Sequence, residues 1–185
     1  MDTSNETDMS SFRKVLPDDF QSLTQYFENL SKQTRTYFAP HPFDQDTVSS
    51  IVEGRLEGFH GFICTISGQV VAYAVAKRGY SEGEWYRFPN YPIEMNAQRH
   101  YLFAPSVSDD FQSQGLGSGL LLFVEEELRH QGAQLLELWG GVQEDNQQAV
   151  RYYLKNGFRK LGEFYHEGVN NFDMAKDLSN ADGMG

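Results

Sequence analysis

A glycine-rich turn at residues 112–119, here called the glycine turn, carries the most specific chemistry in this sequence. It reads Gln112-Ser-Gln-Gly115-Leu-Gly117-Ser-Gly119. Gly115 and Gly117 let a ligand approach the backbone closely, and a helix that starts here offers unpaired N–H groups and the positive end of its dipole. These features favour a site for phosphate oxygens. The turn alone is equally compatible with a strand-to-helix connection that binds nothing.

Spacing separates the glycine turn from three better-known motifs. A P-loop requires Gly-Lys-Ser or Gly-Lys-Thr, and the turn has no lysine. A dinucleotide-binding turn requires GxGxxG, but Leu120 stands in place of the third glycine, and only Glu137, located twenty residues after Gly117, favours that interpretation. A serine nucleophile elbow requires a glycine where Leu116 stands. The pattern that remains is Gln or Arg, followed by any two residues and then by Gly-x-Gly.

The elements that must position this turn alternate between strands and helices, which is typical of an α/β unit with a crossover. Asn146 is predicted to cap the second helix, and Gly157 to end it. We predict strands over 100–107, 135–142, 158–165 and 171–178, and helices over 117–131 and 147–156.

The preceding half of the sequence predicts an edge strand, two helices and a hairpin that turns at Ser67-Gly68. Segments 34–43 and 79–98 are predicted to be loops rich in aromatic residues, which either contact a ligand or pack onto the core. The elements span 12–16, 18–30, 46–56, 58–66 and 69–78. We expect one domain over 11–178, with flexible tails at 1–10 and 179–185.

Two linked motifs resemble the GNAT superfamily of acyl-CoA-dependent N-acetyltransferases. The first is Val107-Ser-Asp-Asp-Phe-Gln112-Ser-Gln-Gly115-Leu-Gly117, and the second runs from Val142 through Asn146, Ala149, Tyr153 and Lys155 to Gly157-Phe158. The closing Met174-Ala-Lys176-Asp-Leu178 is similar to the last strand of that family. The resemblance implies an α/β (α+β) fold whose mixed, mostly antiparallel central sheet has flanking helices and a splayed parallel strand pair.

The resemblance also implies an activity, which is the transfer of an acetyl group from acetyl-CoA to an amine by direct attack in a ternary complex. Tyr153 would stabilise or protonate the leaving thiolate, unless it only packs its helix. Lys155 or Arg151 would meet the 3′-phosphate or remain surface cations. The implied cofactor-binding residues are Ser106, Val107, Gln112, Ser113, Gln114, Gly115, Leu116, Gly117, Ser118, Asn146 and Lys155.

Two positions depart from the family pattern. Gln114 stands where lysine or arginine is common, which predicts weaker or more salt-tolerant cofactor binding. Pro105 lacks the backbone N–H that the family usually offers to the thioester oxygen. The register is therefore shifted, a neighbouring N–H such as that of Ser106 replaces it, or turnover is poor.

The sequence defines the acceptor-binding residues and the base less well than it defines the cofactor site. A base must free the attacking amine, and Glu137, His100 and His41 are candidates, with Glu137 preferred. Residues 82, 84 and 94 are glutamates that could attract a cationic small-molecule or peptide amine. The predicted acceptor contacts are Tyr37, Phe38, His41 and Trp85.

The composition narrows the range of partners, metals and cellular locations. With 15 basic and 26 acidic residues the net charge is −11, which disfavours nucleic acid as a partner. No apolar run reaches the length of a membrane span, Cys64 is the single cysteine, and the histidines lack metal-ligand spacing. We expect a cytoplasmic protein without a metal, and leave a homodimer open. The alternative function is an acyl-CoA-binding sensor or interaction module with little catalysis.

Overall fold

The computed structural model describes residues 10–38 and 40–179. Eight strands and six α-helices lie in this part of the chain, with single 3₁₀ turns at Pro17–Asp19, Phe88–Asn90 and Asp109–Phe111. The strands are β1 Ser11–Lys14, β2 Phe59–Ile66, β3 Gln69–Arg78, β4 His100–Val107, β5 Leu135–Leu138, β6 Val142–Gln143, β7 Arg159–His166 and β8 Val169–Asp177. The helices are α1 Phe20–Asn29, α2 Lys32–Tyr37, α3 Gln45–Val52, α4 Glu82–Arg87, α5 Leu116–Arg129 and α6 Gln147–Lys155.

All the strands join one sheet. Strands β1 to β5 lie side by side in chain order, and β8 pairs with β5 and β6 on one side and with β7. Every pairing is antiparallel except that of β4 with β5, which is parallel. The predicted fold class, a mostly antiparallel sheet with flanking helices and one parallel pair, is confirmed.

The parallel pair separates partway along its length. Its ladder ends at Phe103 and Leu138, and one further hydrogen bond joins the Trp139 N–H to the Phe103 carbonyl at 2.9 Å. Beyond this point β4 continues to Val107 paired only with β3. The wedge between residues 104–107 and the chain after 138, here called the splay, therefore exposes one edge of β4.

Side chains alternate between the two faces of the sheet and form two cores. Helices α5 and α6 cover one face, here called the α5 face, where Leu121, Val124 and Leu136 are buried. Helices α1 and α3 cover the other, here called the α1 face, around Phe27 and Tyr73. The splay opens between these two helical layers.

Most predicted elements are confirmed, with three differences. The predicted strand over 135–142 is interrupted, because Gly140 and Gly141 have positive φ angles and divide it into β5 and β6. The predicted loop over 34–43 begins inside α2, and the loop over 79–98 contains α4 and a 3₁₀ turn. Residues 1–9 and 180–185 of the predicted tails lie outside the described residues.

Candidate active site

The glycine turn leaves a run of backbone donors free. Gly115 caps α5 with φ of 83°, a left-handed conformation that glycine adopts without strain. The first N–H of this helix to find an acceptor is that of Gly119, which donates to the Gly115 carbonyl at 3.0 Å. Within the described residues, the six N–H groups from Ser113 to Ser118 donate to no acceptor. Together with the helix dipole they give this end of α5 a positive potential that suits an anion.

The other two glycines of the turn serve packing as well. A Cβ at Gly119 would lie 2.5 Å from the Phe12 ring, so this glycine lets β1 pack against α5. A Cβ at Gly117 would contact the ring of Tyr152 at 3.4 Å. The Tyr152 hydroxyl donates to the Gly117 carbonyl at 2.9 Å and thereby fixes α6 against the start of α5. Sequence reasoning missed this anchor.

Polar side chains of the predicted cofactor site stabilise the turn itself. The Gln112 amide donates to the Val107 carbonyl at 3.2 Å, and the Gln114 amide donates to the Asp110 carbonyl at 3.0 Å. Asn146 caps α6 by accepting from the Ala149 N–H, as predicted. These contacts position the free N–H groups, while Lys155 is an exposed cation at the end of α6.

Backbone alternation decides which groups of β4 face the splay. The Ser108 N–H donates to the Val71 carbonyl of β3, so the N–H of Ser106 also points toward β3. The odd-numbered residues face the opposite way, as the Phe103 carbonyl does when it accepts from Trp139. The backbone of Val107 therefore faces the splay, and Pro105 offers it a carbonyl without an N–H.

Tyr153 lies in the core of the α5 face, with 9% of its surface exposed. Its ring packs on those of Tyr152 and Phe158, and among the described residues its hydroxyl has no hydrogen-bond partner. Burial raises the pKa of Tyr153, so the phenol keeps its proton at neutral pH. The Tyr153 hydroxyl is therefore free to donate a hydrogen bond.

An aromatic cluster covers the α1 face near the splay. His41 lies among Phe27, Phe38 and Tyr73, and its Nε2 accepts from the Tyr73 hydroxyl at 3.0 Å. Its Nδ1 donates to the Pro42 carbonyl at 2.8 Å, and burial lowers the pKa of this histidine. Both ring nitrogens are therefore engaged, and this geometry supports a structural role more than that of a base.

Hydrogen bonds join the outer edge of the aromatic cluster to the segment between β4 and α5. Ser31 donates to the Asp109 carboxylate from its N–H at 3.0 Å and from its hydroxyl at 2.8 Å. The Thr34 hydroxyl adds a third bond at 2.9 Å. Helix α2, which ends at the exposed Tyr37, is thus held beside the connection that leads into the glycine turn.

Segment 79–98 carries a buried charge cluster rather than an open acidic surface. Arg87 binds the Asp173 carboxylate through two bonds of 2.8 and 3.0 Å and contacts Glu84 at 3.3 Å. Glu84 also accepts from the Gly140 N–H at 2.9 Å, and the Tyr91 hydroxyl donates to Asp173 at 2.7 Å. Glu84, which we expected to attract an acceptor cation, is therefore already paired.

Glu137 lies beside this cluster on β5 and is completely buried. Neither carboxylate oxygen has a hydrogen-bond partner, and Oε1 lies 3.5 Å from the His100 Nδ1. Burial raises the pKa of Glu137, against the opposing effect of His100, and the charges of Glu84 and Asp173 raise it further. A carboxylate in this state is a stronger base than one in water.

A cavity lies at the other end of β4, away from the glycine turn. It has a volume of about 710 Å³ and is lined by Tyr80, Arg78, His60 and Trp85, among others. The predicted acceptor contact Trp85 therefore faces this cavity, while His41 and Phe38 belong to the aromatic cluster. The structure does not bring these three predicted contacts together.

A sheet that splays beside a free-amide turn defines the N-acetyltransferase class of folds. The profile of the acetyltransferase (GNAT) family matches residues 20–158, and the chain belongs to this family. Among the described residues, no group of three or more His, Cys, Asp or Glu side chains could hold a metal ion. Within the same part of the chain, no helix is long and apolar enough to span a bilayer.

Known proteins resemble the chain at low identity. An uncharacterized N-acetyltransferase of Methanocaldococcus jannaschii is 24% identical over 153 residues, a match that covers 83% of this chain and 57% of that protein. The GNAT domain of S. lividans PAT superposes with a TM-score of 0.72 at 21% identity, covering 91% of this chain and 90% of that one.

Two further solved structures share the fold. A putative acetyltransferase from Salmonella typhimurium, solved with its cofactor acetyl-CoA, has a TM-score of 0.70 at 18% identity and covers 96% and 98% of the two chains. A ribosomal-protein-alanine N-acetyltransferase from Brucella melitensis has a TM-score of 0.69 at 20% identity, with 90% and 99% covered.

Proposed function

We propose that the chain transfers an acetyl group from acetyl-CoA to an amine, as an N-acyltransferase. The observation that carries this proposal is the run of six free N–H groups from Ser113 to Ser118 beside an open strand edge. Hydrogen bonds to a charged group contribute about 1.5–3 kcal/mol each. A few of them, made to the cofactor's pyrophosphate, offset the repulsion expected from a chain of net charge −11.

The rest of the cofactor would follow the exposed edge of β4. Pantetheine amides pair with backbone groups of Val107 and the Pro105 carbonyl, in the manner of an added strand. Gln112 and Asn146 act by holding the turn and α6 in place, and Lys155 supplies a cation for the outer phosphate. This arrangement directs the thioester toward the end of the splay.

Acetyl transfer then requires two proton steps. The neutral acceptor nitrogen attacks the thioester carbon, a C–N bond forms, and the C–S bond breaks as the tetrahedral intermediate collapses. Tyr153 donates its free hydroxyl hydrogen to the leaving thiolate and takes up a proton from water before the next turnover. Glu137 takes the proton that the nitrogen loses, directly or through water. Tyr37, with Phe38 and His41 behind it, lines the acceptor's approach, and Trp85 contacts larger acceptors.

The direct test is to incubate the protein with acetyl-CoA and a panel of amines and peptides while following the release of free thiol. We expect thiol release that depends on the acceptor. Tyr153→Phe should lower kcat by about 10²-fold or more, because the thiolate loses its donor, while the Kd for acetyl-CoA stays unchanged. Tyr165→Phe, at a tyrosine that is 74% exposed, is the matched control and should retain full activity. Equal activity of Tyr153→Phe and wild type would exclude the assigned role of Tyr153.

One observation favours a second function, that of an acyl-CoA-binding module with little catalysis. Pro105 removes a backbone donor from the splay, and the N–H of Ser106 points toward β3. Titration calorimetry distinguishes the two functions. Binding of acetyl-CoA without turnover across the panel would support the module, and the absence of binding would contradict both proposals.

A further inference from the structure

Three side chains lie in sequence between a buried carboxyl group and open solvent. Glu137 is fully buried, and its Oε1 lies 3.5 Å from the Nδ1 of His100. The same Nδ1 lies 2.5 Å from the Tyr80 hydroxyl, and Tyr80 lines the cavity of about 710 Å³. His100 itself is only 6% exposed, so Tyr80 is where this path reaches water.

The groups around Glu137 leave His100 as its exchange partner. From α4 and β8 the facing groups are Glu84 and Asp173, both of which are engaged by Arg87. Those two are acids, and the Arg87 guanidinium holds its proton permanently. Among these neighbours of Glu137 in the described part of the chain, His100 is therefore the one whose ring nitrogen can both accept and release a proton.

We propose that Glu137, His100 and Tyr80 form a proton relay that carries the proton lost by the acceptor nitrogen to the cavity. This inference rests on the proposed acetyl transfer, with Glu137 as the base. It assigns His100 and Tyr80 a role in proton transfer that is separate from the roles of the glycine turn and the splay. It also gives the cavity a role, as the place where the proton leaves the protein.

The relay returns each group to its starting state. At rest, the Tyr80 oxygen accepts from the Asn96 N–H at 3.1 Å, and its hydroxyl hydrogen points to His100 Nδ1. After the reaction the neutral Glu137 gives its proton to Nδ1 as the Tyr80 hydroxyl turns toward the cavity. The Nδ1 proton then passes to the Tyr80 oxygen while the original hydroxyl proton passes to a water molecule. Glu137 is again a carboxylate, and His100 is again neutral.

Tyr80 fits this task without ever becoming a phenolate. Burial and the nearby charge of Glu137 raise the pKa of Tyr80 to about 12, so the phenol accepts and donates a hydrogen in one concerted step. A phenylalanine at this position keeps the ring contacts with Phe88 and Trp85 but removes the oxygen. The substitution Tyr80→Phe therefore isolates the proton step from packing.

The first experiment compares kcat in wild type and Tyr80→Phe across pH, in H₂O and D₂O. We expect kcat to fall about tenfold and the solvent isotope effect to rise, with an unchanged KM for acetyl-CoA. Tyr86→Phe, in the same segment but 72% exposed, should leave both values unchanged. Wild-type kcat and isotope effect in Tyr80→Phe would overturn the relay.

The second experiment uses chemical rescue and does not depend on Tyr80→Phe folding well. In His100→Ala we expect a similar loss of kcat that added imidazole restores with increasing pH, because the free base can enter through the cavity. A folded His100→Ala variant that imidazole fails to rescue would contradict the proposal. A histidine needed only for packing would not respond to imidazole in this pH-dependent way.

The wild-type assay separates failure of the relay from failure of the proposed function. If wild type releases thiol while Tyr80→Phe keeps the wild-type kcat and isotope effect, the relay alone is overturned. A wild type that releases no thiol with any acceptor would instead overturn the proposed function.

Discussion

The two faces of the sheet treat their polar groups in opposite ways. On the α5 face, donors are left open, as in the N–H groups of the glycine turn and the Tyr153 hydroxyl. On the α1 face, the charged groups are buried and bound to one another, with Arg87 between Glu84 and Asp173. Beside these groups, the two carboxylate oxygens of Glu137 are buried without a hydrogen bond.

This difference shows how an acidic chain can hold a polyanionic ligand. Backbone amides and a helix dipole provide positive potential that does not enter the formal net charge. Two buried acidic side chains, Glu84 and Asp173, are meanwhile paired with Arg87. The net charge of −11 therefore argues against nucleic acid but not against a ligand that binds at one local site.

The largest expected effect comes from removing the cation that pairs the buried carboxylates of the α1 face. Replacing Arg87 with methionine leaves Asp173 buried beside Glu84 without its cation, so we expect a loss of about 3–5 kcal/mol in the free energy of unfolding. Chemical denaturation measures this loss. Arg151→Met, at an exposed arginine of α6, should stay within about 0.5 kcal/mol of wild type. Equal values for the two variants would show that the cluster does not stabilise the fold.

The next effect restores an open donor in the splay. Pro105→Ala returns an N–H that faces the splay, where the proposed thioester would lie, and we expect kcat to rise by about tenfold to 10²-fold if this donor limits turnover. The substitution should cost about 0.4–1 kcal/mol of stability, because the unfolded chain gains freedom. Steady-state kinetics with saturating acetyl-CoA measure the gain. Pro92→Ala, in the exposed loop before β4, is the control, and an equal rise there would contradict the assignment.

A matched pair of glycines tests whether the free amides bind the cofactor. Gly115 and Gly168 have φ angles of 83° and 85°, with nothing within 4 Å of an added Cβ. Alanine at either position should cost about 1–2 kcal/mol of stability. Only Gly115→Ala should also raise the Kd for acetyl-CoA, which calorimetry measures. If both variants bind acetyl-CoA as wild type does, the glycine turn is not the phosphate site.

The smallest effect adds a formal charge to the turn. Gln114→Arg should lower the Kd for acetyl-CoA about threefold at low salt, since one exposed charge at a helix N-terminus contributes about 0.3–1 kcal/mol. Added salt should remove the gain. Gln98→Arg makes the same change in net charge at the distant cavity and should leave the Kd unchanged. A gain that persists at high salt would point to a cause other than this charge.

Sequence reasoning predicted the α5 side of the molecule well because its signals are local. Glycine spacing, the Asn146 cap and the helical periodicity each lie within a few residues of what they determine. The predicted β4 range, 100–107, agrees with the structure at both ends. The break at Gly140 and Gly141 was missed, although two adjacent glycines in a strand are a signal of such a break.

The α1 side depends on contacts between distant residues, which no local pattern records. Arg87 and Asp173 lie 86 residues apart in the sequence. The single acidic residue inside the apolar strand β5, Glu137, was the available signal, but its neighbours could not be read from the sequence. The acceptor contacts, the cytoplasmic location and the oligomeric state stay predictions.

The pairing of β8 has a consequence for how the chain folds during synthesis. This strand is the last in the described chain, and it pairs with β5, β6 and β7, while β1 to β4 pair among themselves. The first half of the sheet can therefore form while the ribosome is still adding residues. The second half stays open, with an unpaired edge on β5, until β8 emerges, and this interval is when the nascent protein most needs protection from aggregation.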